Sequence, residues 1–183
     1  MTTKKINSIN PSNYQILGKV EISTPLTNLR LASKEDLESL SEVYALTYNS
    51  LNIGEKWDKN SAYKLITYLF EDQPDLFYVA EIGKRVVGGI VATVRPWWDG
   101  NHLIEGEFFI HPEYQNKGVG LKLIKQLFKS AKEKYNAVSW DTFTHTFYEN
   151  PLAWYKKLGF EEIKNWTMIT GNIEKVLKTI KNS

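Results

Sequence analysis

The run Ile110-His111-Pro112-Glu113-Tyr114-Gln115-Asn116-Lys117-Gly118-Val119-Gly120-Leu121 constrains this chain more than any other, because a strand-like apolar segment stops there and a glycine-spaced turn opens a helix. Such a junction is built to hold a phosphate. Without side chains at Gly118 and Gly120, backbone N–H groups can approach an anion closely, and the positive end of the following helix points at it. Upstream, Leu103 to Ile110 reads as the strand that delivers the turn. Downstream, Ile124, Leu127, Phe128 and Ala131 recur at helical spacing on one face, while Lys122, Lys125, Lys129 and Lys132 form the other. The lysine row reads as a solvated face.

Spacing decides which glycine motif this is. A Walker loop needs four residues between its glycines and a terminal Lys-Ser/Thr, and a dinucleotide fingerprint needs a third glycine where Leu123 stands. What remains is Gln-x-x-Gly-x-Gly between a strand and an amphipathic helix, and this resembles the pyrophosphate-binding motif of the GNAT acetyltransferase superfamily. A second ordered segment, Asn150-Pro151-Leu152-Ala153-Trp154-Tyr155-Lys156-Lys157-Leu158-Gly159-Phe160, resembles that superfamily's terminal helix and strand.

Composition narrows the remaining classes. At 183 residues the chain is long enough for one domain with a substantial core. A formal net charge of +2, with lysines dispersed among acidic residues, gives neither a nucleic-acid footprint nor a polybasic membrane patch. The absence of cysteine excludes disulfides, thiolate metal sites and an acyl-cysteine intermediate, so any acyl transfer would be direct. His102, His111 and His145 lack metal-ligand spacing, and no metal is expected. The N-terminus lacks the apolar core of a signal peptide, and the Val86–Val94 run is far shorter than the roughly 20 residues that span a bilayer. A cytoplasmic location without membrane attachment is expected.

Residues 1–27 read as an N-terminal extension with a short strand at Lys19–Ile22, residues 28–172 as the catalytic-type domain, and residues 173–183 as a helical tail. Asn28 to Ala32 predicts a first strand, and Ser33 to Asp36 a capping box before a helix ending near Tyr48. Ala62, Leu65, Ile66 and Leu69 predict a second helix. Leu76–Ile82 and Arg85–Val94 predict a hairpin, Leu103–Ile110 and Ala137–Phe143 two strands around the glycine-turn helix, and Glu162–Thr170 a last strand. The resemblance implies an α/β fold with a mixed central sheet, flanked by helices and splayed at the cofactor-binding strand so that a thioester lies in the gap.

The same resemblance implies an acetyl-CoA-dependent N-acetyltransferase acting by direct transfer in a ternary complex. Gln115, Asn116, Lys117, Gly118, Val119 and Gly120 would wrap the pyrophosphate, and a backbone N–H of Phe109 or Ile110 would contact the thioester oxygen. Superfamily members often carry arginine where Gln115 stands. Asn150 corresponds to a cofactor-contacting asparagine, although Tyr148 lies at the more usual offset and Asn150 alternatively caps the helix. Tyr155 falls where members often place a tyrosine near the sulfur and is the expected general acid; its alternative is a core aromatic beside Trp154 and Phe160. Glu105 and Glu107 alternate on one face of a regular strand, with Glu107 the preferred base and Glu105 a cation-binding or water-relay group; two solvent-facing glutamates are the alternative. His145 is the other candidate base.

Trp97 and Trp98 form either an aromatic wall for a cationic acceptor or a hydrophobic lid. The expected acceptor is a small-molecule primary amine. Protein or peptide acetylation and a non-catalytic acyl-CoA-binding module are the alternatives, and a homodimer is compatible with the superfamily's habits.

Overall fold

The computed structural model of the chain describes residues 26–146 and 149–181. Two compact units divide the chain, Met1–Asp141 and Thr142–Ser183. The short strand expected at Lys19–Ile22 lies outside the described residues. No described helix is long and apolar enough to cross a membrane.

The first unit is a five-stranded sheet in the order β1 (Thr27–Leu31), β2 (Tyr78–Ile82), β3 (Arg85–Trp97), β4 (Gly100–Ile110), β5 (Ala137–Trp140). All pairs are antiparallel except β4–β5, which is parallel. Helices α1 (Leu37–Ser50) and α2 (Lys59–Asp72) fill the connection from β1 to β2. Helix α3 (Val119–Tyr135) makes the crossover from β4 to β5, as a parallel pair requires. The predicted capping box forms, with Ser33 N–H donating to Asp36 Oδ2 at 2.8 Å ahead of α1. Arg30 on β1 locks the same turn by donating two bonds to Asp36, at 2.6 and 2.7 Å.

Each face of the sheet buries a different set of side chains. On one, Leu40 and Tyr44 of α1 and Ile66 of α2 pack with Val79, Val91 and Phe109 from three successive strands. On the other, the amphipathic stripe of α3 buries Leu123, Ile124 and Leu127, and Tyr78 donates a buried 2.6 Å bond to Ser130 Oγ. Completely buried side chains of this size each contribute about 1.5–3 kcal/mol. They make the sheet the rigid support for whatever β4 presents.

The splay expected of the sheet is visible in its register. Strand β5 pairs with β4 only over Asn101–Leu103, and the last such bond is Asp141 N–H to Leu103 O at 2.9 Å. Beyond Leu103, no β5 residue pairs with β4 among the described residues. Trp140 explains the parting: a Cβ added at Gly106 would lie 2.7 Å from the indole, so the ring rests directly on the β4 backbone. Strand β5 is therefore shorter than the Ala137–Phe143 run predicted.

The second unit holds α4 (Glu149–Lys157) and α5 (Ile173–Lys181). Gly159 at φ 96° ends the α4 turn, and Leu158 N–H reaches back to Trp154 O at 3.2 Å. The strand predicted over Glu162–Thr170 is absent among the described residues. A turn at Lys164–Asn165, with Asn165 at φ 66°, interrupts the run despite its β-branched and aromatic content.

Candidate active site

Strand β4 and the start of α3 gather most of the predicted residues. After Ile110 the chain makes one 3-10 turn (Pro112–Tyr114), passes Asn116 at φ 58°, and enters α3 through Gly118 at φ 78°, ψ 0°. Gly118 is the helix cap, in the left-handed region that favours glycine. The first i→i−4 bond is Lys122 N–H to Gly118 O at 3.3 Å, so the N–H groups of Val119, Gly120 and Leu121 precede the helical ladder. Gly120 must be small for a second reason: an added Cβ would stand 2.9 Å from Phe108 Cζ and 3.1 Å from Ile110 Cδ1. The turn therefore fits a diphosphate through backbone donors and the end of a long helix.

Two of the predicted residues also have partners inside the turn. Gln115 donates its backbone N–H to Pro112 O at 3.3 Å and its side-chain amide to Ile110 O at 3.0 Å, so it braces the turn from within. Lys117 lays its ammonium 5.4 Å from the centre of the Tyr114 ring, while Arg85 lies 5.5 Å from the same ring.

The ladder also separates Phe109 from Ile110. His111 N–H donates to Val87 O at 2.9 Å, and the register continues as Gly88↔Ile110 and Gly89↔Phe109. Antiparallel pairs alternate between bonded and non-bonded. Phe109 N–H is thereby committed to β3, and Ile110 N–H points away from it, toward the side on which β4 parts from β5.

A bulge decides the fate of the two glutamates. Glu107 pairs with Val91 and Ile104 with Thr93, so Glu105 and Gly106 together oppose Ala92, and Glu105 takes φ 49°. Val91 and Thr93 share a face, so Ile104 and Glu107 share it too, and Glu105 falls on the other. The expectation of both glutamates on one face is corrected: the extra residue breaks the period of two. Glu105 is exposed, whereas Glu107 is half-buried on the α1 side.

Around Glu107 stand residues that no motif singled out. Tyr48 Oη donates to Glu107 Oε2 at 2.6 Å. The Tyr44 ring lies 4.5 Å from that of Tyr48, 5.0 Å edge-on from Trp57 and 5.2 Å edge-on from Phe109. Trp57 Nε1 donates to Glu55 Oε2 at 2.7 Å, and Asn49 clamps the Trp57 backbone with bonds of 2.9 and 2.8 Å. Asn49, Asn52, Glu55, Lys56, Trp57 and Asp58 line a cleft of about 580 Å³ along the α1–α2 connection. Burial pushes the Glu107 carboxyl above its ordinary value, Glu55 adds to this, and the two phenols pull it back. Burial, the Glu107 charge and the Glu55 charge raise the Tyr44 phenol, which keeps its proton. The signal available in the sequence was Tyr44 and Tyr48 four apart on one helix face.

The Trp97–Trp98 pair is elsewhere. Trp97 ends β3 and pairs with Gly100, Trp98 is 87% exposed in the hairpin turn, and Arg95 stacks 5.0 Å from the Trp97 ring. From Gly100 to Glu107 is roughly 20 Å of strand, so the ring bonded to Glu107 is that of Tyr48, with Tyr44 beside it and Trp57 behind Tyr44. His102, below that hairpin, is clamped between Asp141 and Asp99, each at 2.8 Å, and its pKa is raised, chiefly by the Asp141 bond. His111 lies 2.9 Å from Arg85, and burial with that charge lowers its pKa. Among the described residues no group of three or more His, Asp or Glu could hold a metal.

Tyr155, Asn150 and His145 belong to the second unit. Tyr155 packs edge-on against Trp154 at 5.2 Å and Phe160 at 5.0 Å. Asn150 lies in the first turn of α4, and its side chain falls outside the described residues, as does Tyr148.

Known proteins share this architecture. A curated relative, an uncharacterized N-acetyltransferase of Methanocaldococcus jannaschii, is 25% identical over 153 residues, covering 79% of this chain; the match spans 66% of that relative, just under two thirds of its length. A possible acetyltransferase from Clostridium difficile superposes with a TM-score of 0.66 at 20% identity, covering 80% of this chain and 97% of that one. A predicted acetyltransferase from Clostridium acetobutylicum, solved with acetyl-CoA, gives a TM-score of 0.61 at 18% identity, with 79% and 96% covered. The model of the acetyltransferase (GNAT) family matches residues 37–160, from the helix that carries the two tyrosines to the end of the second motif, and the chain belongs to that family.

Proposed function

We propose that this chain is an acetyl-CoA-dependent N-acetyltransferase whose acceptor is a small-molecule primary amine. The observation that carries the reading is Glu107, a half-buried carboxyl on the strand that runs into the phosphate-binding turn, with its pKa raised by burial. Raising a carboxylate toward neutrality matches it better to an ammonium proton. The neighbouring aromatic rings and the Glu55 carboxylate favour a cationic acceptor at the α1–α2 cleft.

In this reading the first-turn N–H groups of α3 hold the pyrophosphate and Ile110 N–H polarises the thioester carbonyl. Glu107 takes a proton from the acceptor ammonium, directly or through water, freeing the nitrogen lone pair to attack the carbonyl carbon. When the C–S bond breaks, Tyr155 gives its proton to the departing thiolate; that assignment rests on the second family motif. Glu105, on the opposite face of the bulge, has no part in the proton transfer.

Release of CoA thiol from acetyl-CoA, measured across polyamines, aminoglycosides, amino acids and lysine peptides, tests the proposal. Glu107→Gln and Tyr155→Phe should each lower kcat by about 10²–10⁴-fold, with acetyl-CoA affinity nearly unchanged. Binding of acetyl-CoA with no thiol release for any amine would leave a non-catalytic module, and release with lysine peptides alone would move the acceptor to protein.

A further inference from the structure

We propose that Tyr48 is the positioning residue for Glu107: its phenol pins one carboxylate oxygen and so sets both the orientation and the proton affinity of the base. The proposal rests on Glu107 being that base. At 2.6 Å, Tyr48 Oη to Glu107 Oε2 is at the short end for a phenol donating to a carboxylate, the range of charge-assisted bonds. One oxygen is thereby tied to α1, and the plane of the carboxyl is set for the other.

The donor is itself held by packing. Tyr48 sits one turn after Tyr44, with ring centres 4.5 Å apart, and Tyr44 is wedged edge-on between Trp57 and Phe109. Asn49, the next residue, grips the Trp57 backbone through two bonds that join the helix end to the α1–α2 connection. The Thr47 hydroxyl, which donates to Val43 O at 2.7 Å in its own helix, also lies 3.1 Å from Ile110 O and brings the same turn of α1 against β4. The phenol and the carboxyl thus meet between two elements cross-linked within one turn of the contact.

Chemistry requires such a hold. The groups that act on Glu107 are the phenols of Tyr44 and Tyr48 from α1 and the carboxylate of Glu55 from the α1–α2 connection. Burial and the Glu55 charge favour the protonated carboxyl, which cannot accept the ammonium proton. The Tyr48 phenol opposes them by bonding to the anion. Tyr44 keeps its proton because burial and the nearby carboxylates suppress its ionisation. Tyr48, at 2.6 Å, balances a base buried enough to be matched to an amine against one too buried to ionise.

The test uses the full chain as Tyr48→Phe, which keeps the ring and removes only the hydroxyl, with Glu107→Gln as reference. In protein without acetyl-CoA, the side-chain carboxyl carbon of Glu107, identified by its disappearance in Glu107→Gln, is titrated by NMR; Tyr48→Phe should raise the midpoint by about 1 pH unit. The acid limb of kcat/KM should move to higher pH by a similar amount, with kcat lost mainly on the acid side and the KM for acetyl-CoA changed less than about twofold. A purely structural role for Tyr48 would lower activity at every pH without moving either midpoint. An unmoved NMR midpoint overturns the proposal. A moved NMR midpoint beside an unmoved acid limb shows that Tyr48 holds the carboxyl and overturns Glu107 as the base.

Discussion

Gly106→Ala should strike the gap between β4 and β5 without touching a proposed reacting group. The added methyl would sit 2.7 Å from Trp140 Cζ2 and from Nε1, and 2.9 Å from Cε2, about 0.7 Å inside the 3.4 Å at which ordinary contact begins. Gly106 has no left-handed φ, so the cost is steric alone. An indole is rigid, and Trp140 is itself backed edge-on by Phe128 at 5.7 Å. The ring cannot bend away, so either it or the strand must translate. Overpacking of this kind costs about 1–3 kcal/mol, which for a chain of this size lowers Tm by roughly 2–12 °C. Thermal unfolding of Gly106→Ala, Trp140→Phe and the double variant forms the assay. Phenylalanine withdraws the atoms that collide, so the double variant should be more stable than the sum of the two single losses predicts, by about 1 kcal/mol or more. Strict additivity would refute the claim that Trp140 rests on Gly106. Titration with acetyl-CoA adds a functional readout: a displaced indole should change affinity in Gly106→Ala and not in a surface control such as Lys129→Ala.

Two further expectations follow from single contacts. Gly118→Ala places a Cβ at φ 78° and should cost about 1–2 kcal/mol of stability, together with a weakening of acetyl-CoA binding measured by calorimetry; unchanged affinity would count against the turn as the phosphate cradle. His102 is held by two carboxylates that raise its pKa above the ordinary 6.5, so its contribution is full below that value and fades as pH rises through the folded-state pKa. The stability lost in His102→Gln should accordingly shrink as pH is raised from about 6 toward about 9, and a pH-independent loss would deny the charged pairing.

Legibility in the sequence followed the range of the interaction that fixes each feature. The glycine turn, the capping box and the stripe of α3 depend on neighbours within a few residues, and each stands where periodicity and spacing put it. Glu105 and Glu107 were visible as candidates, but their separation onto two faces was not, because a bulge arises from how β3 and β4 share register. Trp97 and Trp98 looked like site residues by being aromatic and adjacent; the hairpin carries them to the far end of the strand. Glu162–Thr170 had strand composition, and a left-handed Asn165 turned it.

Local spacing and residue type alone carried the glycine-spaced junction, the excluded nucleotide motifs, the absence of cysteine chemistry and the family. Folding in three dimensions settled which glutamate meets α1, which backbone N–H of β4 is left facing the gap, and that the Tyr48 phenol reaches the carboxyl with Tyr44 and Trp57 packed behind it. Those outcomes depend on strand register and on residues some sixty positions apart meeting across a sheet and a helix, such as Tyr48 and Glu107 at a separation of 59. Burial by distant chain, which gives Glu107 its raised proton affinity, has no local signature in the amino-acid order.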